Sequence, residues 1–330
     1  MLGLTLAAAA FGSLNGVWAQ GTTPSATRAK ASAWPTQALK IVVGFPAGSS
    51  PDLTARAFAE PLARALGQAV VVENKVGAAG NIAADAVAKA SDGHTIGLMI
   101  NGNMTIARLL NPKLPYDPLK DFAPISLIGT APLVLTAPAS LPGASPRELL
   151  AAAKAAGAQW NYGTPGVGTV GHLGMELLKA RTGIGAVHIP YPGYPQVATA
   201  MIAGDLQLAL LPPALASAQI KAGKLKAVGI TGSVRSPVIP EVPSLSEAGL
   251  QGFHLEIWNA AAAPISMSPA AVARLSTLFS EIARTPEMRQ RLAQQGWQVA
   301  GTSAEGLANR IKTDTALLGD IITRQKISAD

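Results

Sequence analysis

A short apolar run, a turn of small residues and an amphipathic stretch follow one another in residues 39–66, LKIVVGFPAGSSPDLTARAFAEPLARAL. Residues 39–45 have the apolar and β-branched composition of a buried strand, and residues 46–51 have the Pro, Gly and Ser of a turn. In residues 52–66 the apolar side chains recur at helical spacing, with Asp52 near the start. This order predicts a strand, a turn and a helix.

The same alternation continues along the chain. Further strands are predicted in residues 69–73, 95–100, 133–136, 161–163, 187–189, 206–211, 226–231 and 256–261. A strand-like run also lies around Leu127. Further helices are predicted in residues 80–90, 146–156, 169–180, 195–202, 286–295 and 303–322. Strands that alternate with helices are typical of doubly wound sheets, and the rhythm starts again after the Pro-rich residues 111–124. We therefore expect an α/β fold of two lobes, each a doubly wound sheet flanked by helices, with a ligand cleft between them.

The composition excludes several classes of protein. Only 14% of the 330 residues are charged, a low fraction that is typical of membrane proteins. Residues 122–146, the longest uncharged internal stretch, nevertheless contain five prolines, which a membrane-spanning helix would not tolerate. The absence of cysteine excludes disulfide scaffolds, iron–sulfur clusters, thiolate zinc sites and cysteine nucleophiles. The four histidines lack metal-binding spacing, so no metal site is expected. The net charge of +7 is dispersed, which favours a small anionic ligand over nucleic acid.

The N-terminal residues predict export. The first 27 residues carry no charge, and residues 2–11 form an apolar run of signal-peptide length. Ala19 is a small residue that permits cleavage before Gln20. We predict a signal peptide in residues 1–19 and a flexible tether in residues 20–33, with the mature protein in the periplasm.

Three glycine-containing turns each follow a predicted strand and precede a predicted helix. They are residues 45–50 (FPAGSS), 77–81 (GAAGN) and 163–169 (GTPGVGT). Backbone N–H groups and the helix dipole favour anions at such helix starts, and ligands of doubly wound sheets bind beyond the carboxyl ends of the strands. For any single turn, a tight strand-to-helix connection without a ligand is an equally simple interpretation.

Two enzymatic interpretations lack the residues that they need. Residues 166–171 (GVGTVG) match the dinucleotide pattern GxGxxG, but the next predicted strand ends in HIPY, without the acidic residue that binds ribose hydroxyls. No GxSxG elbow is present, so Ser49 and Ser50 are interpreted as ligand-binding hydroxyls. His172, in the first turn of its predicted helix, is the histidine expected near a ligand, with a local role at the helix start as the alternative. No catalytic residue and no cofactor are expected.

A series of short motifs runs from Trp34 to the C-terminus. The motifs are FPAG with Asp52 (45–52), VENK leading into GAAGN (72–81), SDGHT (91–95), KLPYDP with KDFAP (113–124), NYGTPGVG (161–168), HIPY (188–191), IKAGKL (220–225) and VPSL with EAG (242–249). In order and spacing they resemble the Bug-type solute receptors of tripartite tricarboxylate transporters. The resemblance implies a type II periplasmic binding protein that closes over a small carboxylate and delivers it to a membrane permease. It also implies a monomer without enzymatic activity.

The resemblance implies a division of the chain and a set of contacts with the ligand. Domain 1 would comprise residues 34–128 and 230–330, and domain 2 residues 129–229, with hinge strands near 129–134 and 227–231. The candidate ligand-binding residues are Phe45, Pro46, Ala47, Gly48, Ser49, Ser50, Asp52, Asn101, Asn103, Gly163, Thr164, Pro165, Gly168, Thr169, His172, Tyr191 and Tyr194.

Three positions depart from the family pattern. Gln207 and Leu211 replace two frequent aspartates, and Tyr194 stands where small residues are common. These departures favour a carboxylate ligand without an amine. A sensor partner of a two-component system remains an alternative to transport, and an enzyme acting on a small acid remains a more distant one.

Overall fold

The computed structural model of the protein describes residues 34–143 and 145–328. Its strands in chain order are β1 (Leu39–Val43), β2 (Val70–Asn74), β3 (Thr95–Ile100), β4 (Phe122–Pro132), β5 (Val134–Pro138), β6 (Asn161–Thr164), β7 (Val187–Pro190), β8 (Leu208–Leu211), β9 (Leu225–Ile230), β10 (Glu256–Pro264) and β11 (Gln298–Val299). Its helices are α1 (Ser50–Leu66), α2 (Asn81–Ala88), α3 (Ala107–Leu110), α4 (Pro146–Ala156), α5 (Val170–Thr182), α6 (Tyr194–Ala203), α7 (Pro213–Lys221), α8 (Pro269–Arg284), α9 (Pro286–Gln294) and α10 (Ala304–Gln325). The predicted signal peptide and tether lie outside the described residues.

The strands form two sheets, one in each lobe. The first sheet has the order β11-β4-β10-β3-β1-β2, in which β2, β1 and β3 are parallel while β10, β4 and β11 pair antiparallel. The second has the order β7-β6-β8-β5-β9, in which β6 is parallel to both neighbours and β5 is antiparallel to both of its own. The predicted two-lobed α/β fold is confirmed.

Each sheet is covered by helices on both faces because alternate side chains of a strand point in opposite directions. In β1, Ile41 and Val43 belong to the same core as α1 and α8, where Phe58 stacks on Phe279 with ring centroids 5.1 Å apart. Val42 instead packs in a second core with α2 and α10. The sheet therefore lies as a middle layer, with its strand ends left free to carry loops.

Proline explains two of the predicted boundaries that were wrong. Helix α1 begins at Ser50 rather than at Asp52, because Pro51 fits the first turn of a helix, where an N–H group is not needed. Strand β4 begins at Phe122, inside the stretch that was predicted to be a Pro-rich connection. Pro124 is accommodated there because the pairing with β10 is irregular next to it.

The chain crosses between the two sheets at Leu133 and again in residues 231–255. Thr231 joins these crossings, since its hydroxyl contacts both the Leu133 amide and the Leu255 carbonyl. Within the second crossing, the Pro243 carbonyl accepts a hydrogen bond from the Ile230 amide at the edge of the second sheet. The domain boundaries and the hinge strands stay predictions.

Candidate ligand-binding site

The two lobes contact each other across a cleft, and glycines occupy the points of closest approach. A Cβ atom added at Gly166 in the second lobe would lie 2.9 Å from the Cβ of Ala79 in the first. A Cβ atom added at Gly193 would lie 3.0 Å from Cδ of Pro46. The loops of the two lobes therefore meet at distances that leave no room for further side chains.

Two of the cavities between the lobes border the predicted loops. The outer cavity, of about 680 Å³, is lined by the 77–81 turn and α3 of the first lobe and by residues 166–168 and 190–192 of the second. The inner cavity, of about 30 Å³, is lined by Phe45, Ser49, Ser50, Pro51, Ile100, Asn101, Ile257 and Asn259 of the first lobe and by Pro165, Thr169, Val170 and Tyr194 of the second. The predicted loops 45–50 and 163–169 thus face each other across the inner cavity.

The first-lobe wall of the inner cavity is the loop between β1 and α1, which Asp52 holds in place. Asp52 is 1% exposed, and its carboxylate accepts hydrogen bonds from the Gly48 amide (2.9 Å), Arg56 Nε (3.0 Å) and Asn74 Nδ2 (2.9 Å). Burial opposes ionisation, but these hydrogen bonds outweigh it and hold the pKa of Asp52 below its usual value. Asp52 therefore supports the loop through bonds within the first lobe.

Replacement of Asp52 by asparagine should loosen this loop. An amide offers one oxygen where the carboxylate offered two, so a donor of the loop loses its acceptor and the free energy of unfolding should fall by about 1–2 kcal/mol. Urea denaturation measures this loss. Glu60→Gln on the same helix is the control, because the Glu60 carboxylate is 80% exposed in its pair with Arg64 and such pairs contribute little. Equal losses for the two variants would contradict the supporting role of Asp52.

Ser49 occupies the N-cap position of α1 without capping the helix. It is 4% exposed, and its Oγ forms no hydrogen bond with any described residue. In contrast, the N-cap residues of α5 and α10, Thr169 and Ser303, accept hydrogen bonds from the backbone amides of His172 and Gly306. A buried hydroxyl without a partner costs about 1–3 kcal/mol. A polar atom in the inner cavity would remove that cost.

Two predicted site residues, Asn101 and Asn103, lie at the π-helical turn Gly102–Ile106 and have different roles. Asn101 is 1% exposed and lines the inner cavity; its Nδ2 donates to the Glu256 carbonyl (2.8 Å), while Oδ1 has no partner among the described residues. Asn103 Nδ2 instead donates to the Ala79 carbonyl (3.0 Å). Asn101 therefore faces the inner cavity, and Asn103 fixes the neighbouring turn.

The second-lobe wall is the loop between β6 and α5, and its own threonines fix its shape. Thr164 Oγ1 lies 2.6 Å from His188 Nε2 and accepts from the Gly166 amide (3.1 Å). The Thr169 hydroxyl donates to the Gly166 carbonyl (2.8 Å) and accepts from the His172 amide (3.3 Å). Both hydroxyls are thus engaged within the lobe, and a direct contact with ligand stays a prediction for them. The start of α5 adds a helix N-terminus to this wall.

Comparison with known proteins identifies the family. The family described as "Tripartite tricarboxylate transporter family receptor" matches residues 54–327. The chain belongs to this family. The receptor is also 32% identical over 268 residues to Protein BugT of Bordetella pertussis, a match that covers 81% of this chain and 82% of BugT. The predicted resemblance to Bug-type receptors is confirmed.

Two solved structures resemble this tripartite tricarboxylate transporter receptor in fold. MatC from Rhodopseudomonas palustris with bound malate is 30% identical with a TM-score of 0.83, and the match covers 88% of this chain and 100% of MatC. Rpa4515 of R. palustris with adipate is 28% identical with a TM-score of 0.86, and the match covers 89% of this chain and 99% of that protein. These matches and the family assignment place the chain among solute-binding receptors rather than enzymes.

The structure brings together about half of the predicted site residues of the receptor at the two cavities. Phe45, Ser49, Ser50, Asn101, Pro165, Thr169 and Tyr194 line the inner cavity, and Gly168 and Tyr191 line the outer one. Pro46, Ala47, Gly48, Asp52, Asn103, Gly163, Thr164 and His172 line neither of these two.

Five residues that line the inner cavity were not among the site residues predicted from the sequence. Three of them, Pro51, Ile100 and Val170, directly adjoin predicted loops, so the ends of the loops could have indicated them. The other two, Ile257 and Asn259, belong to β10, which reaches the cleft by pairing between β3 and β4. No local motif indicates that placement.

The described residues contain neither a cluster of metal ligands nor a helix that could cross a membrane. Within residues 34–143 and 145–328, no three His, Cys, Asp or Glu side chains come together as metal ligands. In the same part of the chain, no helix has the length and apolar composition needed to cross a membrane.

Two histidine rings contact each other behind the second-lobe loop, with their planes tilted by 32°. The ring centroids of His172 and His188 are 4.6 Å apart, and Tyr162 stacks on His188 at 4.9 Å. Burial and the charge of His172 lower the pKa of His188 to about 4; Glu176 opposes this shift and Lys179 adds to it. Burial likewise lowers the pKa of His172. Both imidazoles are therefore neutral at pH 7.

The receptor should lose stability as the pH falls from about 6.5 to about 4. In this range an unfolded histidine, with a pKa of about 6.5, takes up a proton that folded His188 does not, so protonation favours the unfolded chain by about 3 kcal/mol at pH 4. Urea denaturation at several pH values measures the loss. His188→Gln, which cannot titrate, should show a flatter dependence over this range. Parallel curves for the two proteins would show that His188 does not contribute.

Proposed function

We propose that this receptor binds a small carboxylate in the cleft between the lobes, with its carboxylate group at the inner cavity, and delivers it to the membrane permease of a tripartite tricarboxylate transporter. The observation that carries the proposal is the buried Ser49 hydroxyl, which has no partner among the described residues and lies at the start of α1. Helix α5 of the opposite lobe begins at the same cavity. Two helix N-termini and a free hydroxyl suit an anion.

The walls of the inner cavity suit a carboxylate on an uncharged body. None of the residues that line it is a lysine, an arginine or an acidic residue. The charge of the ligand would therefore be balanced by backbone amides, hydroxyls and helix dipoles, as anion sites at helix starts allow. Phe45, Ile100 and Ile257 would contact its carbon chain. Malate and adipate, the ligands of the two similar receptors, each present a carboxylate on a short carbon chain, with a second carboxylate at the other end of that chain.

Calorimetric titration with malate, succinate and adipate tests the ligand class. At least one acid should bind, while its uncharged methyl ester should not. Ser49→Ala should weaken binding by about tenfold or more, since a hydrogen bond to a charged group is lost. It should not lower the free energy of unfolding, because Ser49 does not cap α1 and alanine removes a buried hydroxyl that has no partner among the described residues.

Ser303→Ala is the matched control for this experiment. Ser303 caps α10 through the Gly306 amide, so its loss should lower the free energy of unfolding by about 1 kcal/mol without changing ligand affinity. Failure of every acid to bind, or equal binding by Ser49→Ala and the unaltered protein, would contradict the proposed site.

Delivery to a permease and residence in the periplasm are part of the same proposal. The family description, a receptor of a transporter, supports both. Osmotic-shock release of the protein from cells tests the location. Uptake of a labelled acid that depends on both receptor and permease tests transport, whereas a transcriptional response without uptake would indicate the sensor alternative.

A further inference from the structure

Tyr194 stands between the inner cavity and a neighbouring space, here called the rear cavity. The rear cavity has a volume of about 70 Å³, and its walls include Leu53, Leu215 and Trp297. Ser49, Ser50 and Tyr194 line both cavities. The boundary therefore consists of two small side chains from the first lobe and one large ring from the second.

Neighbouring segments approach the Tyr194 side chain closely at both of its ends. At its backbone end, the preceding Gly193 approaches Pro46 of the opposite lobe, where an added Cβ atom would lie 3.0 Å from Cδ. At its hydroxyl end, a Cβ atom added at Gly171 of α5 would lie 2.6 Å from the oxygen of Tyr194. The side chain thus extends from the lobe boundary to the surface of α5.

We propose that Tyr194 sets the maximum length of the carboxylate that the receptor accepts, an inference that rests on the proposed function. A ligand in the inner cavity meets the ring before it can enter the rear cavity. Without the ring the two cavities would join, and Leu53, Leu215 and Trp297 would become an apolar surface for the methylene groups of a longer dicarboxylate.

The test measures the affinities of succinate, adipate and suberate by calorimetry for the unaltered protein and four variants. Tyr194→Ala and Tyr194→Leu remove the ring, and Tyr194→Phe keeps it. Ile202→Ala changes an exposed side chain on the same helix and serves as the control. Circular dichroism and thermal unfolding establish that each variant is folded.

The unaltered protein should bind succinate most tightly. Both variants without the ring should shift the preference toward adipate or suberate by at least about tenfold relative to succinate, the effect of burying two further methylene groups. Tyr194→Phe and Ile202→Ala should keep the original ranking. An unchanged ranking in the folded Ala or Leu variant, or the same shift in Tyr194→Phe, would overturn the inference while leaving the carboxylate site intact. Binding of no dicarboxylate by any of the proteins would instead overturn the proposed function.

Discussion

Replacement of Gly102 by alanine should weaken ligand binding by at least about tenfold, an effect of about 1.4 kcal/mol or more, without destabilising the ligand-free protein. Gly102 lies in the helical turn after β3 and has no left-handed backbone angle. A Cβ atom there would lie 2.9 Å from the Gly168 carbonyl oxygen and 3.4 Å from Cα of Thr169, both in the opposite lobe. Backbone atoms cannot rotate away, so the lobes would have to stay further apart.

The two effects of this substitution should have opposite signs. Alanine is favoured over glycine in a helical segment by about 0.5–1 kcal/mol, so an open, ligand-free form should gain slightly in stability. Only the closed form would contain the steric conflict. Stability and affinity are therefore expected to change in opposite directions, which a general loss of folding could not produce.

Gly204→Ala is the matched control for Gly102→Ala. Gly204 ends α6 with φ of +91° and has no atom within 4 Å of an added Cβ, so alanine there should cost stability through backbone strain and leave binding unchanged. Calorimetry gives the affinities, and small-angle scattering gives the compaction on ligand addition. Compaction and affinity in Gly102→Ala equal to those of the unaltered protein would show that closure does not need this contact.

The sequence predicted the parts of the site that depend on neighbouring residues. A strand, a small-residue turn and a helix start are encoded within a few positions, and the loops 45–50 and 163–169 lie at the inner cavity as expected. The same locality explains why Ser49 and Thr169 were identified, since each lies at the start of a helix, whereas Tyr194 was identified through the family resemblance.

The remaining features depend on contacts between distant segments. A threonine in a Gly-rich turn has the same local sequence whether its hydroxyl faces a ligand or, as Thr164 does, contacts His188. Asn103 likewise follows a strand end but bonds to a turn 24 positions earlier. Only the packed fold determines which polar groups are paired internally and which, like Ser49 Oγ, are left unpaired.

Replacement of Thr231 by valine should lower the free energy of unfolding by about 2–4 kcal/mol, because two buried hydrogen bonds are lost and their partners are left unpaired. Thr231 is fully buried; its Oγ1 accepts from the Leu133 amide (2.8 Å) and donates to the Leu255 carbonyl (2.6 Å). Its backbone also pairs with both residues. Valine keeps the shape of the side chain and removes only the hydroxyl.

Thr136→Val is the matched control for Thr231→Val. It removes a buried hydroxyl that lies within one sheet rather than at the segments that connect the lobes. Thr136 is equally buried, but its hydroxyl donates one hydrogen bond to a backbone carbonyl, that of Ala209 in the neighbouring strand of its own sheet (3.0 Å). Its loss should cost about 1–2 kcal/mol and leave ligand-induced compaction unchanged. Thr231→Val should cost more in urea denaturation and should also alter compaction in scattering, because the segments joined by Thr231 are those that connect the lobes. Equal losses and unchanged compaction in both variants would show that Thr231 stabilises the fold without controlling the relation of the lobes.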